Sequence, residues 1–187
     1  MATIILVGAS GSGKTTIENE LSKHYGYRKI ISYTTRKPRD CEENGKDYWF
    51  VNNETFKQML EEGLFAEYEE YSQERFYGTL KTDYIEGNNV AVLTPNGVRQ
   101  LHKNLPKMDN IITAYVNVKL GTRIKRYIDR IGIDKFSYED KNEICSRVER
   151  DFGMFLGIEN EVNIVINNDD DNSIQASIDR IISYEKD

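Results

Sequence analysis

"TIILVGASGSGKT", residues 3–15, is the stretch that decides how the rest of the chain reads. The run "TIILV" is short, apolar and β-branched, and it ends in glycines, which predicts a buried strand. Residues 8–15, "GASGSGKT", then satisfy G-x-x-x-x-G-K-[ST] at every fixed position. Gly8, Gly11 and Gly13 let backbone N–H groups turn inward around phosphate oxygens with no Cβ in the way. Lys14 can reach the β- and γ-phosphates as a point charge, and Thr15 can offer its hydroxyl to Mg²⁺. Ala9, Ser10, Ser12 and Thr16 complete the cradle. A helix predicted from Lys14 to about Tyr25, with Ile17 and Leu21 inward, adds the positive end of its dipole. A glycine-rich turn without a ligand is the structural alternative. The complete motif in its strand–loop–helix context favours a nucleoside triphosphate.

Outward from this loop, strands and helices alternate. "KIISYT" (29–34), "DYWFV" (47–51), "LFAEYEEY" (64–71), "NVAVLT" (89–94), "NIITAYVNV" (110–118) and "VNIVI" (162–166) read as strands. A helix is predicted over "NETFKQMLEEG" (53–63), capped by Asn53 and closed by Gly63. Thr94 and Pro95 supply an N-cap and first-turn proline for a helix through His102. Further helices are predicted over about 121–131, from Ser137 toward Phe155 behind a Ser137–Asp140 capping box, and over 172–184. This order makes an α/β protein with a doubly wound parallel sheet. The acidic, strand-rich stretch at about 33–78 breaks the alternation and reads as a small inserted lobe.

Composition narrows the function. The chain has 187 residues, 39% hydrophobic and 30% charged, and a formal net charge of −6, which suits one soluble domain. Its charge is segregated: residues 1–39 are basic, 40–88 strongly acidic, and 151–187 acidic again. That alternation gives no net basic face for nucleic acid, but it suits a few anion grips on an acidic body. Apolar runs such as "IILV" are too short to span a membrane. No cationic leader precedes the first strand, and Cys41 and Cys145 have no metal-ligand spacing. A cytoplasmic protein with two free thiols is expected. Oligomeric state is not legible.

Three basic residues, Arg36, Lys37 and Arg39, gather in "SYTTRKPR" (32–39). After them come "NGKDYWFV" (44–51), "LFAEY" (64–68), "FYGT" (76–79) and, near the end, "INNDDD" (166–171). In this order, and over essentially the whole chain, the motifs resemble those of the guanylate kinase family. The resemblance implies a P-loop NTPase-like three-layer α/β/α fold with a parallel central sheet. It implies a core of about 1–32, 80–120 and 159–187, a monophosphate-binding lobe of about 33–79 and a helical lid of about 121–158. The implied reaction is transfer of the γ-phosphoryl group of ATP, with Mg²⁺, to GMP or dGMP.

The basic cluster at 36–39 then has a purpose. A nucleoside monophosphate kinase must hold a second phosphate in line with the first. The planar fork of arginine suits that task, and Pro38 stiffens the loop between Arg36 and Arg39. By resemblance, Arg36, Arg39, Tyr48 and Tyr77 hold the monophosphate. The resemblance also implies that Glu67 reads the donor edge of guanine, with Ser32 and Thr79 supplying hydroxyls; an ionised Glu67 would reject adenine, which has no N1–H. Arg123, Arg126 and Arg130 share a helix face, as do Arg147 and Arg150, and suit a cationic lid. The resemblance singles out Arg130 and Arg147 for catalysis beside Lys14 and Arg36, and Asn168 for contact near adenine.

One motif departs from the family. Where a sequence like "LDIDVQG" is usual, this chain reads "AVLTPNG" (91–97). Val92 and Thr94 replace two aspartates, one for Mg²⁺ and its water shell and one for the base. Three readings stay open: an enzyme that manages without them, a shifted base or sugar preference, or a catalytically weakened nucleotide-binding interaction module. Intact Lys14, Thr15, Arg36 and Arg39 favour the enzyme, with Thr94 keeping a hydroxyl beside the substrate.

Overall fold

In chain order the elements are β1 (Thr3–Val7), α1 (Lys14–His24), β2 (Arg28–Lys29), β3 (Tyr33–Thr34), β4 (Trp49–Phe50), α2 (Asn53–Glu61), β5 (Phe65–Ser72) and β6 (Arg75–Leu80). There follow β7 (Asn89–Leu93), α3 (Pro95–Asn104), β8 (Ile111–Asn117), α4 (Leu120–Ile131), α5 (Tyr138–Met154), β9 (Ile164–Asn167) and α6 (Ser173–Lys186). They come from a computed structural model that describes residues 2–72, 74–106, 110–169 and 173–186.

β1 lies at the centre of a five-stranded sheet, ordered β2–β7–β1–β8–β9, in which every pairing is parallel. All five residues of β1 are buried. Alternation sends Ile4 and Leu6 to one face, against Ile17 and Leu21 of α1 and Ile178 and Ile181 of α6. Ile5 and Val7 go to the other face, with Val98 and Leu101 of α3 and with Ile158. Burial on both faces is why these strands read as unbroken apolar runs. The strand order reverses about β1, so the crevice past its C-terminal end is where such sheets bind ligands. The P-loop leaves β1 at that point.

A second sheet, ordered β4–β3–β6–β5, is mixed: β3 pairs parallel with β4 and antiparallel with β6, and β5 and β6 form a hairpin. It has its own core. Phe56 of α2 stacks on Phe65 at 4.4 Å and on Phe76 at 5.2 Å between ring centroids. Among the described residues no helix is long and apolar enough to cross a membrane.

Several local expectations change. "KIISYT" is two short strands in different sheets, because β2 pairs with β7 in the core whereas β3 pairs with β6. Residues 30–32 carry the chain between the sheets. The cap of α2 is Asn52, whose side chain accepts the Thr55 N–H at 2.7 Å, and not Asn53; the helix itself ends at Glu61. The strand expected over 47–51 shrinks to Trp49–Phe50. The hairpin partner β6 was not expected, since its Gly78 and Arg75 interrupt any simple alternation. Ser137 and Asp140 do close a capping box on α5, and Thr94 accepts the Gly97 N–H as the cap of α3. Residues 170–172 of "NNDDDN", and with them the start expected for the last helix, lie outside the described residues.

Candidate active site

The loop between β1 and α1 is built around close approaches. A Cβ on Gly8 would stand 2.7 Å from the Val116 carbonyl, and one on Gly13, where φ is +94°, would stand 2.5 Å from Asn168 Nδ2. Ser12 is fully buried and donates its N–H to the Ala9 carbonyl. The Lys14 ammonium donates to the carbonyls of Gly8 at 2.6 Å and Ala9 at 3.0 Å. Burial pulls it down to about 8, opposed by the Asp151 carboxylate. Thr15 and Thr16 are exposed on the first turn of α1.

Two cavities meet at Lys14. One, of about 260 Å³, is lined by Gly11, Gly13, Lys14, Thr15, Thr16, Arg126, Tyr127 and Arg130. The other, of about 360 Å³, lies between the two sheets; its walls include Gly8, Ser10, Lys14, Ser32, Tyr48, Glu67, Tyr77 and Thr94. These walls come from residues far apart in sequence.

Glu67 is buried on β5 and accepts a hydrogen bond from Thr79 Oγ1 at 2.8 Å. Thr79 Oγ1 lies 2.7 Å from the buried Tyr84 hydroxyl, which must donate because the single Thr79 proton goes to Glu67. Thr79 is therefore committed to holding Glu67. Burial lifts the Glu67 carboxyl to about 7, opposed by the Thr79 hydrogen bond and reinforced by Glu69. A Cβ on Gly97 would come within 3.0 Å of Glu67 Oε2, so α3 approaches this carboxylate as closely as glycine permits.

The arginine pair is not brought together on the cavity wall. Arg36 is gripped bidentately by Glu42, at 2.8 Å from each guanidinium nitrogen, and also donates to the Lys37 carbonyl. Its guanidinium sits 5.3 Å from the Tyr48 ring centre and 5.7 Å from that of Phe50. The pairing drives Glu42 down to about 2 and holds Arg36 above its ordinary value. Glu42 also takes the Arg39 backbone N–H, and the Arg39 side chain is exposed. Pro38 stiffens the loop, but Glu42 decides which arginine is fixed. Sequence reasoning missed Glu42 because nothing in "RDCEENG" separates it from Asp40 and Glu43.

The arginines of α4 and α5 divide their work. Arg126 donates to the Asn168 carbonyl at 2.8 Å and approaches those of Gly11 and Ser12. Arg123 pairs at 3.2 Å with the buried Asp151, which also accepts the Ser10 N–H at 2.8 Å. Asp151 was missed, since its place in a charged helix gave no hint that it ties α4 and α5 to the P-loop. Arg130 stacks over Tyr127 at 5.1 Å; Arg147 lies over the same ring and pairs with Glu143. Arg150 lies over Tyr71. Asn168 is buried behind the P-loop, donating to the Ser12 carbonyl at 2.8 Å.

A parallel sheet with this loop at its switch point defines a P-loop phosphate-binding α/β protein. A family profile, that of guanylate kinase, matches residues 1–185, so the chain belongs to the guanylate kinase family. A guanylate kinase of Wolbachia pipientis is 30% identical, over 98% of this chain and 90% of its own. One from Lactobacillus delbrueckii is 37% identical over 56% of this chain; that match spans 54% of the relative, about half its length. The crystal structure of guanylate kinase from Anaplasma phagocytophilum superposes with a TM-score of 0.68 at 20% identity, covering 99% of this chain and 84% of that one, and thus shares the fold.

Proposed function

We infer that the protein transfers the γ-phosphoryl group of ATP to GMP or dGMP, giving ADP and the nucleoside diphosphate. The observation that carries this is the place of Lys14, which lines both cavities. One cavity offers the P-loop and lid arginines to a triphosphate; the other offers Glu67, Ser32, Tyr48 and Tyr77 to a monophosphate. Two anions held so meet at one fixed positive charge. The acceptor is already an oxygen anion, so the transfer needs alignment and charge neutralisation but no covalent intermediate. Lys14 spans the donor and acceptor sides, and Arg126 and Arg130 face the triphosphate side. Arg147 and Arg123 line a smaller cavity beside them, together with Arg130.

Mg²⁺ fits this donor set. No cluster of three or more acidic, His or Cys side chains able to hold a metal occurs among the described residues. Thr15, exposed at the cavity beside Lys14, would supply a protein oxygen, with others from phosphates and water, as suits a cation that dehydrates reluctantly. Bound there, the ion would neutralise charge developing on the phosphates. A cytoplasmic location fits this chemistry and the free thiols.

Turnover of a panel of GMP, dGMP, IMP, AMP, CMP and dTMP with ATP and Mg²⁺ tests the reading. GMP and dGMP should be used best. A best rate on AMP or a pyrimidine ends the guanine assignment, and nucleotide binding without any product favours an interaction module.

A pH dependence follows from Glu67. Its raised value means that it gains a proton as pH falls through about 7. The protonated group presents a donor to the N1–H donor of guanine. We expect kcat/KM for GMP to fall about tenfold per unit below that pH, while kcat/KM for ATP holds. Glu67→Gln should abolish that acid limb; an unchanged limb would remove Glu67 from base recognition.

A further inference from the structure

Glu69 lies two residues beyond Glu67 on β5, so the pleat aims both carboxylates to one side, and both line the cavity between the sheets. Its Oε1 accepts a hydrogen bond from Thr94 Oγ1 at 2.6 Å. The same Thr94 oxygen accepts the Gly97 N–H at 3.0 Å. The single proton of that hydroxyl is thus committed to Glu69, and Thr94 has none to give a ligand. Glu69 is in the opposite position. A carboxylate has about four acceptor sites, and among the described residues this one uses a single side-chain hydrogen bond.

Two acidic side chains facing one cavity repel each other unless something donor-rich lies between them. Glu69 is among the causes that raise Glu67, so the two do interact. Guanine offers three N–H hydrogens on one edge, at N1 and N2. A bidentate carboxylate takes two of them, and a third left buried without an acceptor is costly. Val92 and Thr94, on the same cavity wall, stand where the sequence departs from its family by losing acidic groups. The carboxylate absent from the end of β7 is available across the cavity, on β5, with Thr94 orienting it.

We propose that Glu69 is a second base-reading carboxylate, accepting the outer N2 hydrogen of guanine while Glu67 takes N1–H and the inner one. This rests on the GMP reading above and names a specificity determinant within it. Glu69→Gln tests it, because glutamine keeps the shape and an acceptor for Thr94 but loses the charge. IMP lacks the 2-amino group, so the ratio of kcat/KM for GMP over IMP should fall about 10–100-fold, with the melting midpoint unchanged. An equal fall for both nucleotides marks a structural role and overturns the proposal, as does an unchanged ratio. A change in the GMP-to-dGMP ratio in its place assigns the carboxylate to the sugar and also overturns it. The two levels separate cleanly. An unmodified protein that does not use GMP defeats the functional reading itself. One that prefers GMP, but keeps its GMP-to-IMP ratio after Glu69→Gln, defeats only the role of Glu69.

Discussion

Lys14→Ala should reduce turnover with ATP and GMP by about 10³-fold, the scale of removing one preorganised charge from a phosphoryl-transfer site. The loss should appear in kcat with either substrate saturating, because Lys14 lines both cavities. Thermal unfolding should show the fold intact, since the core of β1 and α1 rests on Ile4, Leu6, Ile17 and Leu21 and not on Lys14. The parent protein should lose the same interaction with rising pH. Burial lowers the ammonium to about 8, so the free protein sheds that charge above this value and kcat/KM for ATP declines. Full turnover in the alanine variant would exclude the P-loop from the mechanism.

Arg36→Ala should act on the acceptor alone. A guanidinium carries five N–H donors, and Glu42 with the Lys37 carbonyl takes three. Two remain for Tyr77, which interacts with the guanidinium from the cavity wall, and for a phosphate. Charge-assisted hydrogen bonds contribute about 1.5–3 kcal/mol each, so losing the one left for the phosphate should lower kcat/KM for GMP about 10–10²-fold. The KM for ATP should stay near that of the parent. Glu42→Gln should give a weaker version of the same defect, by freeing the guanidinium to move. Equal losses for ATP and GMP would place Arg36 outside the acceptor site. Arg39→Ala is the natural comparison, since its exposed side chain has to swing inward to contribute.

Much of this protein was legible before any coordinates. β1 and the P-loop are local events: a buried strand, glycines where side chains would collide, and a lysine at a fixed offset all lie within 13 residues. Caps such as Thr94 and Ser137 are equally local, because their partners are three residues away. The motif order also pointed to the family that the whole-chain profile match shows.

What stayed hidden was every pairing across long sequence distance. Asp151 meets Ser10 across 141 positions and Glu69 meets Thr94 across 25, while residues 29–34 divide between two sheets that only the fold brings near each other. Even the short step from Arg36 to Glu42 was ambiguous, with several acidic residues equally close along the chain. The sequence by itself determined the phosphate cradle, the parallel sheet and the set of charged groups available to the site. Only the tertiary structure decided which acid holds which base, because that choice depends on directions in space and on burial, and periodicity carries neither.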